Sequence, residues 1–415
     1  MTASLQECQD LVCSRRRLLA LAGAGAGAAA LEVAAPTMAF AAGPQSADLL
    51  VVVTLSGGAD GLSLVPPLHD KGYAAARPGI AVPAKSAIPL DRAFGLHPGL
   101  KPLLPYWQRK QLAIVQAVGD SDGTRSHFDA TDAMDRGVSL GTSVRSGWVD
   151  RLMTERGLSR SAFPALAIGG RSPGTLAGPA PDLSTWDVNG VRVDAPAHRA
   201  VAAERALSEM YAGLSGPVAE AGRQTLTSLG SFARVRAHKP APTGKYPNDV
   251  LGGSLRQVAH VAQAGVGLQV ACVQGGGWDM HEGMGTGAAG YAHDVISRLG
   301  QALAAFAHDL GPRFATTTIV TVSEFGRRVA QNSSGGVDHG HGSAWLVLGG
   351  GIRGGRVYGR WPGLSARQLE DGDLRVTTDY RDVLGELALR RLGAASTRRV
   401  FPDHRPRELG LARQR

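Results

Sequence analysis

Five short stretches of the chain are apolar at almost every position: DLLVVVTL (Asp48–Leu55), QLAIVQAV (Gln111–Val118), GLQVACV (Gly267–Val273), TTTIVTV (Thr316–Val322) and AWLVL (Ala344–Leu348). Continuous runs of this kind, rich in β-branched residues and bounded by glycine, predict strands buried on both faces, as in a parallel sheet. Between them lie helix-like stretches at Gly99–Gln108, Ser126–Gly137, Ser254–Gln263 and Ala288–Leu310. Strands alternating with helices predict an α/β domain, a three-layer sandwich around a mainly parallel sheet.

The rhythm breaks in the middle of the chain. Gly170–Pro196 is rich in Gly, Pro and Asp and reads as loop or insert, Ala197–Arg236 reads as helical, and HKPAPTGKYPN (His238–Asn248) reads as a linker. A partly helical subdomain inserted at about 155–250 is therefore expected. The main domain is expected over 46–392, with a basic, proline-interrupted surface tail over 393–415.

The N-terminus changes the picture from fold to address. Ser14-Arg15-Arg16-Arg17-Leu18-Leu19 is a twin-arginine pattern, and the following run LLALAGAGAGAAAL (Leu18–Leu31) is shorter than the ~20 residues of a membrane span. Ala39-Phe40-Ala41 supplies a small-x-small cleavage site, so residues 1–41 read as an export signal and Ala42 as the start of a periplasmic or secreted protein. The expected partner is the twin-arginine export machinery, with no membrane span in the mature chain. Cys8 and Cys13 fall within this signal, which leaves Cys272 alone, without an internal disulfide. Cys272 itself reads as a small buried hydrophobe. The formal charge of +9 survives removal of the signal, because its three arginines balance Glu7, Asp10 and Glu32. The basic residues are dispersed and aromatics sparse, which argues against nucleic-acid binding. An anionic substrate or an envelope polymer suits the charge better.

In open parallel sheets, ligands bind beyond the carboxyl ends of the strands. Here the strand-end loops carry Asp60; Thr124, Arg125, Ser126 and His127; Asp279, His281 and Glu282; and Glu324 and Arg327. The loop before the last strand, GGVDHGHG, adds Asp338, His339 and His341. Imidazole and carboxylate drawn from several loops are the ligands of divalent cations such as zinc. Glycines around each motif let the backbone aim the side chains at a common point. A pair of ions ~3.5–4 Å apart needs several such donors. Asp60, Asp279, His281, Glu324, Asp338, His339 and His341 are sufficient, which makes two divalent ions, zinc or manganese, the expected cofactors.

Ser126 stands at the start of a predicted helix, where backbone N–H groups favour an anionic ligand. It reads either as a metal-activated nucleophile or as the helix N-cap, with Thr124 as a rival hydroxyl. His127 is a ligand or a substrate contact, and Arg125 or Arg327 is the candidate for holding substrate oxygens.

The motifs SGGADGLSLVPP, RSHFDATDAMDRG, GGWDMHEGMG and TVSEFGRRVAQNSSGGVDHGHG, together with the twin-arginine leader, resemble the exported proteins of domain-of-unknown-function family 1501. The resemblance runs from about Leu49 to Leu392. That family is similar in turn to the alkaline phosphatase and sulfatase superfamily. The resemblance implies a two-metal site at the strand ends and hydrolysis of a phosphate ester, or less readily a sulfate ester. It places Asp60 on one metal, Asp279 and His281 on the other, Ser126 or Thr124 as nucleophile, and His341 or His339 as the late ligand. Three features depart from it. Asp279 and His281 are one residue apart, Phe325 follows Glu324 where the superfamily has histidine, and the sulfatase Cys-x-Pro-x-Arg motif is absent. A non-catalytic envelope scaffold on the same fold is the alternative.

Overall fold

Alternate residues of the first strand serve two different cores. In the computed structural model, Leu49, Val51, Val53 and Leu55 join one buried cluster while Leu50 and Val52 join the other. A period of two does this on any strand covered on both faces. The structure describes residues 48–158, 165–169, 172–180, 182–239 and 243–415; the twin-arginine signal lies outside the described residues.

The main sheet contains β1 (Leu49–Leu55), β4 (Leu112–Gly119), β5 (Ala165–Ile168), β6 (Asp182–Thr185), β7 (Val270–Gly275), β8 (Thr317–Val322), β9 (Ser343–Gly349), β10 (Arg356–Tyr358) and β11 (Thr378–Asp379). A two-stranded pair, β2 (Ile88–Pro89) and β3 (Gly95–Leu96), stands apart from it. The order is β10-β4-β9-β8-β1-β7-β5-β6, with β11 also on β4. Within the main sheet every pairing is parallel except those of β9, which runs against both β4 and β8. This reversal matters for the site. GGVDHGHG precedes its strand, and only an antiparallel strand brings such a loop to the edge where the parallel strands end.

The longer helices are α1 (His127–Arg136), α2 (Trp148–Glu155), α3 (Ala197–Ala212), α4 (Pro217–Ala237), α5 (Val250–Gln263), α6 (Tyr291–Asp309) and α7 (Tyr380–Arg390). Leu255 and Val258 of α5 and Leu299, Leu303 and Phe306 of α6 fill the core on one face of the sheet. Trp148 and Leu152 of α2 and Val383, Leu384 and Leu387 of α7 fill the other. The result is a three-layer α/β/α sandwich around a mostly parallel mixed sheet. Among the described residues, no helix is long and apolar enough to cross a membrane.

Two expectations are corrected. The stretch read as an insert over 155–250 begins inside the sheet: β5 pairs with β7 and β6 with β5, and the excursion proper is the packed helix pair α3 and α4. The 393–415 segment is no surface tail either. Phe401 and Leu411 are 0% exposed, and buried Glu386 accepts backbone N–H groups from Leu409, Gly410 and Ala412. Apolar anchors isolated in a basic segment are enough to return it to the core.

Candidate metal centre

α1 starts at His127 because Ser126 caps it, its hydroxyl oxygen accepting the Asp129 N–H at 3.4 Å. The helix then sets His127, Thr131 and Asp135 four residues apart on one face. Across from His127 the loop after β1 packs against the loop after β7. Glycine is required at Gly57 in the first of them: φ is +115°, and a Cβ on it would lie 2.5 Å from the Asp279 nitrogen. The loop before β9 closes the site by pairing back on the loop after β8, with Gly326 N–H donating to the His341 carbonyl and Arg328 N–H to that of Asp338. Gly340 lies against this hairpin, where a Cβ would come within 2.3 Å of the Arg327 backbone.

These loops bring His127, Asp279 and His339 together, with ligand atoms within 4.8 Å of one another. His281 adds a fourth donor beside two of them. The His281 and His339 Nε2 atoms are 2.9 Å apart, and they lie 3.0 and 3.3 Å from Asp279 Oδ1. His127 Nε2 is 3.6 Å from the same oxygen.

The outer nitrogens decide what the inner ones are. His127 Nδ1 is 2.9 Å from Glu324 Oε1, His281 Nδ1 is 3.2 Å from Asp338 Oδ1, and His339 Nδ1 is 2.9 Å from the Arg125 carbonyl. Carboxylates and carbonyls only accept, so each Nδ1 carries a proton, and in the neutral ring the lone pair is then on Nε2. Three lone pairs therefore face one carboxylate oxygen, an arrangement that a shared cation satisfies. Ligand atoms around a tetrahedral ion with bonds of ~2.1 Å lie ~3.4 Å apart, close to the spacings present here. Imidazoles whose far N–H is held by carboxylate or carbonyl are the usual form of metal-ligating histidine.

Glu324 supports the cluster from below. Its side chain is 4% exposed, and it accepts the Gly57 N–H at 2.7 Å and the Ser323 hydroxyl at 3.3 Å in addition to His127. Asn332 donates to Asp338 at 3.0 Å and to the His281 carbonyl at 2.8 Å, a residue the sequence reading missed. Partial burial pushes the Asp279 carboxyl up, but the hydrogen bond and charge of Arg327 lead the opposing interactions and hold it at about 2.

Five expected residues are placed differently. Asp60 gives both oxygens to Arg77, at 2.5 and 2.9 Å, and accepts the Ser63 hydroxyl, so it is committed to a buried ion pair. His341 turns away, with Nε2 at 2.5 Å from the Asp120 carbonyl and Nδ1 at 3.5 Å from Glu370. Arg327 is 1% exposed and donates to the carbonyls of Gly57, Gly58, Trp278 and Val337 and to Asp279 at 2.6 Å, with Nη1 also 3.4 Å from His281 Nε2, so no N–H remains for a substrate. Arg125 binds Asp373 at 2.5 Å. Thr124 Oγ1 accepts the Ser126 N–H at 3.2 Å, a turn contact.

A cavity of about 780 Å³ opens beside the cluster, between α1 and the ends of β1, β5 and β7. His127, Asp279 and Glu324 stand at one end, and Phe128, Ile168 and Val273 make its apolar wall. Asp132 and Asp135 also line it, and among the described residues neither Ser126 nor any lysine or arginine does. Burial pushes the Asp135 carboxyl up to about 6 against hydrogen bonds from Thr175 and Gly174. The i, i+4 stripe His127–Thr131–Asp135 was the sequence signal for this wall. Cys272 also touches the cavity, where burial pushes its thiol far above the ordinary range.

Among solved structures the chain is similar to a sulfatase from a Pseudoalteromonas species, at 13% identity and a TM-score of 0.38, covering 89% of this chain and 74% of that one. It is also similar to the lipoteichoic acid synthase LtaP from Listeria monocytogenes, at 5% identity and a TM-score of 0.35, covering 81% and 78%. An alkaline phosphatase from the Antarctic bacterium TAB5 shares 10% identity at a TM-score of 0.31, covering 75% and 95%. The chain matches no curated protein. The family model for proteins of unknown function DUF1501 matches residues 47–389, and the chain belongs to that family.

Proposed function

We propose that the protein is a metal-dependent hydrolase of anionic esters, phosphate before sulfate, exported by the twin-arginine route and working at a centre of one divalent ion. The observation that carries the reading is the set of three imidazoles whose Nδ1–H groups are committed outward and whose Nε2 atoms meet at Asp279. His127, His281, His339 and Asp279 would hold the ion, and three nitrogens with one carboxylate is a donor set suited to zinc. Such an ion supplies a positive charge for an ester oxygen and lowers the pKa of a nearby hydroxyl or water. We favour one ion over the expected pair because Asp60 and His341 are engaged elsewhere.

The chain's own residues would position and confine. Glu324 fixes the His127 ring, Asp338 fixes His281, and Arg327 clamps Asp279 to the turn at Gly57. We assign Ser126 as nucleophile on its place at the start of α1, next to His127; its hydroxyl accepts one hydrogen bond there. The cavity lining is acidic, so a singly charged ester group suits it better than a doubly charged one. A second reading, an envelope protein that binds without turnover, is favoured by one observation: Arg125 and Arg327 are both spent on carboxylates.

Elemental analysis of the protein purified from the export compartment tests the centre. One equivalent of metal, lowered 10–100-fold in affinity by Glu324→Gln, is the expected result, on the usual effect of removing a hydrogen bond that orients a ligand. Two tightly held ions would overturn the single-ion assignment, and none after incubation with zinc or manganese would sink the hydrolase reading. Ser126→Ala separates the two readings: loss of phosphodiester turnover with metal retained marks an enzyme.

A further inference from the structure

Gly340 separates two histidines that serve different places. His339 belongs to the metal cluster, whereas His341 lines a second cavity of about 750 Å³. Arg360, Arg375, Arg405 and Arg407 line that cavity too, together with His404. All four arginines are exposed. Their guanidinium groups have no hydrogen-bond or ion-pair partner among the described residues.

The acidic groups of the same wall are spoken for. Asp379 pairs with buried Arg381 at 2.7 Å, Asp382 accepts from His404 at 2.8 Å and from the Arg407 backbone N–H at 2.7 Å, and Glu370 faces His341 at 3.5 Å. Four arginines against three carboxylates, with Arg381 paired to Asp379, leave the cavity wall a net positive charge. The cavity beside the metal cluster differs: among the described residues its charged lining side chains are carboxylates. Exposed arginines commonly find a carboxylate; four left unpaired around one concavity present a set of planar donors that match tetrahedral oxyanions two bonds at a time.

We propose that this cavity is an anion-binding site for a compound carrying two or more phosphate groups, separate from the metal centre. Four unpaired guanidiniums offer more donor pairs than a single sulfate or carboxylate can take, and a 750 Å³ space admits more than one phosphate. The site shares the loop 338–341 with the metal cluster, so a long anionic molecule held here lies beside the centre. The proposal does not depend on the hydrolase reading, because none of these residues belongs to the cluster.

Isothermal titration of the full chain with inorganic pyrophosphate tests it. The expected result is saturable binding of one pyrophosphate per chain, weakened at least tenfold in Arg375→Gln/Arg405→Gln. Binding should persist in Asp279→Asn, which disables the metal cluster, and in Arg199→Gln/Arg205→Gln, which removes the same charge from α3. Thermal melting of each variant shows that it is folded. The proposal is overturned by the absence of saturable binding, by equal weakening in the α3 variant, or by loss of binding in Asp279→Asn, which would place the anion at the metal cluster instead.

Discussion

Two aspartates at the carboxyl edge of the sheet each rest on an arginine, and the pairs differ in almost everything else. Asp60 and Arg77 are sealed: their side chains are 4% and 0% exposed, and both carboxylate oxygens are consumed. Arg77 spends its remaining N–H groups on the carbonyls of Arg328 and Val329, which pins the loop after β8. Asp279 sits on an equally buried guanidinium, that of Arg327, but is itself 51% exposed and turns one oxygen towards three imidazoles. In both places the arginine keeps the aspartate ionised. The difference is the open side, and it decides which pair is a brace and which is the floor of a site.

Breaking the sealed pair gives the largest effect. Arg77→Ala leaves Asp60 buried and uncompensated, for which the expected cost is about 3–5 kcal/mol. Denaturant unfolding measures it. A loss below ~1 kcal/mol would show that the pair does not brace the loop. The protein that remains folded should hold its metal as before, because neither residue belongs to the cluster.

This comparison also marks how far the sequence could be read. β1, β4, β7, β8 and β9 were legible because strands covered on both faces must be apolar throughout. β5 and β6 were not: ALAI is short, and DLST is a half-exposed edge strand whose polar composition resembles a loop. At the site, His127, Asp279, His281 and His339 could be named from strand-end position and glycine spacing. Those signals locate a residue near an edge and say nothing of where its side chain turns. Asp60 was claimed for a metal because nothing in the sequence announces that Arg77, 17 positions later, takes both its oxygens. His341 was claimed because it shares a motif with His339, although the two serve opposite sides of their loop.

A third aspartate sharpens the comparison by having no arginine. Burial pushes Asp135 up to about 6, against 3.8 in the unfolded chain. The folded state therefore binds the extra proton between those values. Its unfavourable contribution is absent below pH 3.8 and complete once the pH has risen through 6. Asp135→Asn should stabilise the protein by ~2 kcal/mol at pH 8, allowing for partial exposure, and by nothing measurable at pH 3.5. Melting curves at the two pH values test it. Equal gains at both would mean that the benefit comes from packing and not from charge.

The smallest expected change in stability belongs to the pair that matters most for chemistry. Asp279→Asn removes the charge above Arg327, but the carboxylate is half exposed and the guanidinium keeps four backbone carbonyls. The loss should stay below ~1 kcal/mol, as for other solvent-screened pairs. Bound metal is the opposite case. An amide oxygen donates less charge than a carboxylate, and the three Nε2 lone pairs lose the anion at their centre, so the metal content should fall far more than the stability. Calorimetric melting and elemental analysis of one preparation give both readings. A large stability loss with metal retained would make Asp279 a second Asp60, a brace, and would move the ion away from the His127–His281–His339 cluster.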